Sequence, residues 1–212
     1  NDPALIVYTS GTTGKPKGAI LSQRNLLAGA HSVRLAWRWE EGDRLLLCLP
    51  LFHMHGMGVG LHGTLLVGSS AILQDGFQVE EVIQAINTHQ TSMFFGVPTM
   101  YHRLARHPHV QEMTKMRLCV SGSAPLASSL HRKLNEVAGI EVLERYGMTE
   151  TVMLVSNPYL GERRSGTVGF PLPGVKMKVE EQSGEILVSG PNVFEGYWNQ
   201  LSTNQEAFVD ES

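Results

Sequence analysis

Short runs of adjacent apolar residues recur along this chain, separated by stretches whose apolar positions fall three or four residues apart. Ala4–Thr9 (ALIVYT), Arg44–Leu49 (RLLLCL), Ala71–Leu73, Met93–Val97 (MFFGV), Arg117–Val120 (RLCV) and Glu141–Tyr146 (EVLERY) read as strands. Ser22 is placed to cap a helix over 23–37, with Leu26, Leu27, Ala30 and Val33 at helical spacing. Val79, Val82, Ile83 and Ile86 mark one face of a second helix. Pro98 stops a strand and opens a third helix, which carries Met100, Tyr101 and Leu104. Leu126, Leu130, Leu134 and Val137 stripe a fourth. Strands that are apolar on both faces and alternate with helices imply a mostly parallel sheet with helices on both faces.

The pattern changes after about residue 165. Val175–Val179 (VKMKV) and Glu185–Val188 (EILV) are short, alternate weakly and are joined through a Ser-Gly turn, which predicts a small antiparallel β module. The expected division is therefore an α/β region over 1–165 and a β-rich region over 166–212.

Composition narrows the function classes. Apolar residues make up 42% and charged residues 17%, enough for a core and too little charge for a disordered tail. Lys plus Arg is 17 against 20 for Asp plus Glu, a formal charge of −3, so no basic face for nucleic acid is expected. Cys48 and Cys119 each sit inside an apolar run and read as buried small hydrophobes, without a disulfide or metal. No apolar run approaches the ~20 residues of a membrane span, and no basic-then-apolar leader opens the chain. A soluble, cytoplasmic protein is the expectation.

The 22 glycines cluster where chemistry is suggested. Residues 8–18 read YTSGTTGKPKG directly after a strand. Thr9, Ser10, Gly11, Thr12, Thr13 and Gly14 supply hydroxyls and freely turning N–H groups, and Lys15 and Lys17 supply charge, as a polyphosphate cradle requires. Only two residues separate Gly11 from Gly14, so this is not a Walker A loop, which needs four before its Gly-Lys. Two other patterns are decoys. Gly58-Val59-Gly60-Leu61-His62-Gly63 matches the dinucleotide fingerprint literally, but it lies inside an apolar, helical-looking run and not directly after a strand; close helix packing explains it better. His53 and His55 flank Met54 without the cysteine or carboxylate neighbours of a zinc site.

YTSGTTGKPKG resembles the phosphate loop of the adenylate-forming enzymes, the superfamily of acyl-CoA synthetases, luciferases and adenylation domains. Leu49-Pro50-Leu51-Phe52-His53, Ser121-Gly122-Ser123-Ala124-Pro125, Tyr146-Gly147-Met148-Thr149-Glu150-Thr151 and GEILVSG at 184–190 with Gly196-Tyr197-Trp198 resemble its later motifs, in order. The resemblance implies ATP, Mg2+ and coenzyme A as cofactor and co-substrates. It implies nucleotide contacts at Thr9–Lys17, Ser123, Ala124, Pro125, Arg145, Tyr146, Gly147, Met148 and Thr149, with adenine stacked on Tyr146 and Mg2+ held by Glu150. Lys17, Thr149, Glu150 and His53 become the catalytic candidates; His53, Val97, Ser121, Gly122, Met148 and Met153 become acyl-pocket candidates, and His55 is taken as structural.

Gly96–Tyr101, Arg145–Met153 and Ser156–Val175 resemble the malonyl-CoA synthetase branch most closely. That branch implies a small dicarboxylate substrate and an arginine for its second carboxylate, and Arg103 and Arg132 are the candidates. A fatty-acid ligase and an adenylation domain that loads a carrier protein are the alternatives; the malonate-type segments argue against the latter. The family's ribose-binding T-G-D motif, its hinge and the small C-terminal domain with its lysine lie outside these residues, as does the usual long N-terminal segment, and the Glu180–Glu185 turn is short. The chain is thus expected to be a central piece of an adenylating enzyme, at most nucleotide-binding by itself.

Overall fold

The computed structural model describes residues 1–9 and 16–209. In chain order the elements are β1 (Pro3–Thr9), β2 (Lys17–Ser22), α1 (Gln23–Ala36), β3 (Arg44–Leu47), a π-helical turn (His55–Leu61) leading into α2 (His62–Val67), and β4 (Ser70–Leu73). There follow α3 (Val79–His89), β5 (Met93–Gly96), α4 (Pro98–Leu104), β6 (Leu118–Ser121), α5 (Ser128–Ala138), β7 (Leu143–Tyr146) and a 3₁₀ turn (Thr149–Thr151). Then come β8 (Val155–Ser156), β9 (Phe170–Pro171), β10 (Lys176–Val179), β11 (Ile186–Ser189), β12 (Gly196–Tyr197) and α6 (Leu201–Ala207).

The main sheet has the order β4-β3-β5-β6-β7-β8-β9. From β4 to β7 the strands are parallel, and β8 and β9 add on antiparallel. Alternation along the strands divides the core into two. Leu45, Leu47, Phe95, Val120 and Leu143 face α1 and the π-helical turn, together with Trp37, Trp39 and Val59. Leu46, Phe94 and Cys119 face α3, α4 and α5, meeting Val82, Ile86, Tyr101, Leu104 and Leu134. This is the covered parallel sheet that the sequence pattern implied. Among the described residues no helix is long and apolar enough to cross a membrane.

Glycine marks where the first core is tightest. A Cβ on Gly63 would run into the Trp39 ring, and one on Gly60 would sit 3.0 Å from Leu47 Cδ1. The fingerprint-like run is therefore helical packing, with no strand leading into it.

One lock closes the N-terminal ends of the central strands. Arg117, just before β6, donates from Nε to Asp43 Oδ1 (2.6 Å) and from Nη2 to Asp43 Oδ2, and its Nη1 reaches the Trp37 carbonyl at 3.1 Å. Ser92 Oγ donates to the same Asp43 Oδ1 at 2.7 Å. Burial pushes the Asp43 pKa up, but the donors from Arg117, Glu40 and Ser92 outweigh it and hold the carboxyl below its usual range.

One of the two small sheets differs from the sequence expectation. β1 does not join the main sheet. It pairs antiparallel with β2, and β12 pairs with β2 on the other side, giving the order β1-β2-β12. The glycine-rich loop is therefore the connection of a hairpin, and the strand that follows it was not foreseen. β10 and β11 form the expected hairpin, with Lys176 opposite Ser189 and Val179 opposite Ile186. The segment after residue 166 is woven into the rest: β9 extends the main sheet and β12 completes the N-terminal one.

Candidate active site

In a parallel sheet, ligands bind beyond the carboxyl ends of the strands near the point where strand order reverses, here between β3 and β5. Val97, the Ser121–Pro125 turn and the Tyr146–Thr151 segment leave β5, β6 and β7 at those ends. β1 and β2 pack against the same side, on the Thr149–Thr151 turn.

Thr9 and Lys17 face each other in register across β1 and β2, and Thr9 Oγ1 donates to the Lys17 carbonyl at 3.5 Å. They hold the mouth of the loop. Ser10, Gly11, Thr12, Thr13, Gly14 and Lys15 lie outside the described residues. Lys17 Nζ rests 5.3 Å from the centroid of the Tyr197 ring, and the Tyr197 hydroxyl donates to Glu150 Oε1 at 2.7 Å. Burial, then the bond to Glu150, raise the Tyr197 pKa, so the phenol stays a donor.

The turn that carries Glu150 is strained and braced. Val152 has φ +59° and ψ −66°, and Met153 N donates to the Thr151 carbonyl at 2.6 Å, which makes residues 151–153 a γ-turn of the disfavoured hand. A β-branched residue in that region is rare, and strain of roughly 1–3 kcal/mol persists only where neighbours enforce it. Here they do. Buried Asn192 donates from Nδ2 to the carbonyls of Thr151 (2.8 Å) and Met153 (2.9 Å), and Phe194 N donates to the Glu150 carbonyl at 2.7 Å. On the opposite side the bare backbone of Gly29 in α1 admits the Val152 side chain; a Cβ there would lie 2.7 Å from Val152 Cγ1.

Beside this turn lies a buried polar cluster. Arg145 in β7 is 5% exposed, and its Nε and Nη2 have no hydrogen-bond partner among the described residues. Its guanidinium lies against Gly122, where a Cβ would collide with it. Ser121 Oγ and His55 Nε2 are likewise buried and unpartnered among the described residues. His55 Nδ1 is 3.4 Å from Ser123 Oγ, and its ring stacks on Phe95 with centroids 6.1 Å apart. Burial first, then the charge of Arg145, hold the His55 pKa well below the usual imidazole range, so the ring is neutral at pH 7. Burial lowers the Arg145 pKa to about 9, which leaves it charged. A buried cation whose Nε and Nη2 have no partner among the described residues, beside a neutral imidazole, is arranged for an anion.

The remaining sequence candidates fall into three groups. Tyr146 (40% exposed) and the exposed Ser123, Ala124 and Pro125 flank the carboxyl ends of neighbouring strands, open for a flat ring. Met148, Thr149 and Gly147 lie between Tyr146 and Glu150, with Met148 at the surface (39% exposed) and Met153 fully buried in the core. The structure does not bring the others to the cluster. His53 is exposed and its ring leans on Phe52 at 4.7 Å, while His55 is the buried member of the pair. Arg103 and Arg132 occupy exposed positions of α4 and α5 on the other face of the sheet, Arg103 stacking 5.0 Å from the Phe77 ring. Alternation in β7 puts Arg145 on the side of buried Leu143.

No group of three His, Cys, Asp or Glu that could cage a metal occurs among the described residues. Mg2+ does not need one, since it takes one or two carboxylates with phosphate oxygens and waters, and Glu150 beside the loop fits that demand. A cavity of about 280 Å³ lies at the opposite ends of β6 and β7, but its Arg117 and Arg163 are already engaged by Asp43 and by main-chain carbonyls.

Malonate–CoA ligase of Arabidopsis thaliana is 38% identical over 237 residues, taking in 100% of this chain and 39% of its own length. The mitochondrial malonate–CoA ligase of Homo sapiens is 36% identical over 255 residues, with 99% of this chain and 44% of its own covered. A solved malonyl-CoA ligase, in a ternary product complex with methylmalonyl-CoA and AMP, superposes with a TM-score of 0.92 at 43% identity over 99% of this chain and 48% of that one. The chain thus spans less than half the length of these relatives. A model of the AMP-binding enzymes matches residues 1–198, through the hairpin, the Ser121–Pro125 turn and the strained Glu150 segment alike, and the chain belongs to that family.

Proposed function

We propose that the protein to which this chain belongs activates a small dicarboxylate of the malonate or methylmalonate type and passes it to coenzyme A. In the first step a carboxylate oxygen of the acid attacks the α-phosphorus of ATP and the bond to pyrophosphate breaks, giving an acyl-adenylate. In the second, the sulfur of coenzyme A attacks the acyl carbon, its proton is released, and AMP leaves. The single observation that carries the dicarboxylate is the buried Arg145 guanidinium, whose Nε and Nη2 have no partner among the described residues, beside neutral His55. A monocarboxylic fatty acid would leave that buried charge unpaired, which is costly. The likeness to malonate–CoA ligases supports the same reading.

The chain's own residues have distinct tasks in this scheme. Arg145 forks the far carboxylate, while neutral His55 completes its hydrogen bonds and helps hold the near carboxylate toward the nucleotide. Tyr146 and Ser123–Pro125 sandwich the adenine. Lys17 and the loop that β1 and β2 present neutralise the phosphates as charge moves onto pyrophosphate. Mg2+ at Glu150 would supply further charge neutralisation on the phosphate oxygens.

The test compares acids in the full-length protein. Arg145→Met should lower kcat/KM for malonate about 10²- to 10³-fold, the loss expected for a buried carboxylate deprived of its charged partner. Butyrate should change by only a few-fold. Arg103→Ala and Arg132→Ala should leave the malonate-to-butyrate ratio where it was. Equal losses for malonate and butyrate in Arg145→Met would overturn the assignment.

A further inference from the structure

Glu150 is tied twice to a strand far away in sequence. Its carbonyl accepts from Phe194 N and its Oε1 accepts from Tyr197 Oη, both at 2.7 Å. That strand is itself fixed to β2: Gly196 and Tyr197 pair with Ile20 and Ala19, Glu195 N donates to the Ile20 carbonyl (3.0 Å), and Trp198 N donates to the Gly18 carbonyl (2.8 Å). The Tyr197 ring is wedged edge-on against Phe194 with centroids 4.8 Å apart, and its face carries Lys17 Nζ. One side chain therefore touches both the lysine that closes the phosphate loop and the carboxylate opposite it.

We propose that Tyr197 is a positioning residue for activation: its hydroxyl occupies Glu150 Oε1 so that Oε2 is turned to the metal–nucleotide, and its ring seats the Lys17 ammonium. This rests on the reading of Glu150 as the metal carboxylate. Three features support it. The bond is short, 2.7 Å, and its donor is a phenol fixed by its ring packing, so one carboxylate oxygen is held in place by a hydrogen bond. Oε2 has no donor among the described residues, while Oε1 is taken. An ammonium over an aromatic face keeps its charge and its N–H donors while losing conformational freedom. Groups that orient a metal carboxylate typically govern metal affinity about 10- to 100-fold without touching the metal.

The experiment uses the full-length protein with Tyr197→Phe, Tyr197→Leu and Glu150→Gln. Mn2+ bound to the enzyme–ATP complex is followed by electron paramagnetic resonance, beside steady-state pyrophosphate release and thermal melting. Tyr197→Phe should weaken Mn2+ about tenfold and lower kcat, with KM for malonate within about twofold and melting near wild type. Tyr197→Leu should in addition raise KM for ATP, because Lys17 loses its seat. Wild-type Mn2+ affinity in Tyr197→Phe alongside a weakened Glu150→Gln would overturn the positioning role alone. Unchanged Mn2+ affinity in Glu150→Gln would overturn the metal role of Glu150 and this inference with it. A lowered melting temperature in Tyr197→Phe with intact Mn2+ affinity would make Tyr197 a packing residue only, and also overturns it.

Discussion

Two arginines in this chain, Arg117 half-buried and Arg145 buried, have opposite environments. Arg117 spends its donors on Asp43 and two main-chain carbonyls, whereas Arg145 Nε and Nη2 have no partner among the described residues. The first is a structural lock, the second a place for a ligand. Asp43→Asn leaves Arg117 without its counter-charge at the N-terminal ends of three strands. It should destabilise the protein by about 3–5 kcal/mol in urea unfolding. The pH dependence has a definite sign. The folded-state pKa of Asp43 is lowered, so its stabilisation is complete above the unfolded carboxyl's pKa and is lost as pH falls through the folded value, below about pH 4. Unfolding measured from pH 7 to pH 3 should show wild type losing stability in that window, and Asp43→Asn should lose less. Equal slopes for the two proteins would mean that Asp43 is not the linked group.

Among the elements, α1 shows best what sequence can carry. Ser22 caps it as its position implied: Asn25 N donates to Ser22 Oγ (3.3 Å), and Ser22 N donates to Asn25 Oδ1 (2.8 Å). The use of Asn25 Nδ2 was not legible, since it donates to the carbonyls of Pro191 (2.9 Å) and Val193 (2.7 Å), far along the chain. The same holds for β2 and β12. KGAILS and Gly196-Tyr197 are short and lack alternation, and it is pairing with β1 on one side of β2 and between β2 and β12 on the other that makes them strands. The Ser121–Pro125 turn and the Tyr146–Thr151 segment could be located because motifs preserve local order. The juxtaposition of Arg145 and His55 could not, because separate elements bring them together. Gly29 joins these scales, being a small residue in a helix whose reason is Val152. Gly29→Ala should cost about 1–3 kcal/mol by overpacking and lower kcat by shifting the Glu150 turn. Combined with Val152→Ala, the substitution should cost measurably less, as expected for residues in direct contact. Strict additivity in that cycle would show that Gly29 does not hold the turn.

Over the whole molecule, stability is distributed unevenly, and the candidate site lies between the firm and the loose parts. β5 and β6 are buried at every position, and β3 at all but its first residue, between two apolar layers. β10 and β11 pair only with each other, with Val179 58% and Ile186 48% exposed, and α6 has no buried residue. A two-stranded ribbon that meets the core only through half-buried Met177 and Val188 opens locally at little cost, whereas central strands exchange only when the core comes apart. Hydrogen exchange on the full-length protein should therefore rank the backbone amides. Leu45–Leu47, Met93–Gly96 and Leu118–Ser121 should be the slowest, with a denaturant dependence that matches global unfolding. Lys176–Val179, Ile186–Ser189 and Leu201–Ala207 should exchange orders of magnitude faster, nearly independent of denaturant. Between these extremes lie β2, β12 and the Thr149–Thr151 turn, joined by main-chain pairing, by Asn192 and by the Tyr197–Glu150 bond. Because these bonds make one mechanical unit of three distant segments, Mg2+ with ATP should slow exchange in all three together. Protection confined to β2, with the Thr149–Thr151 turn and β12 unchanged, would show that the phosphate loop and Glu150 are not coupled through this strand.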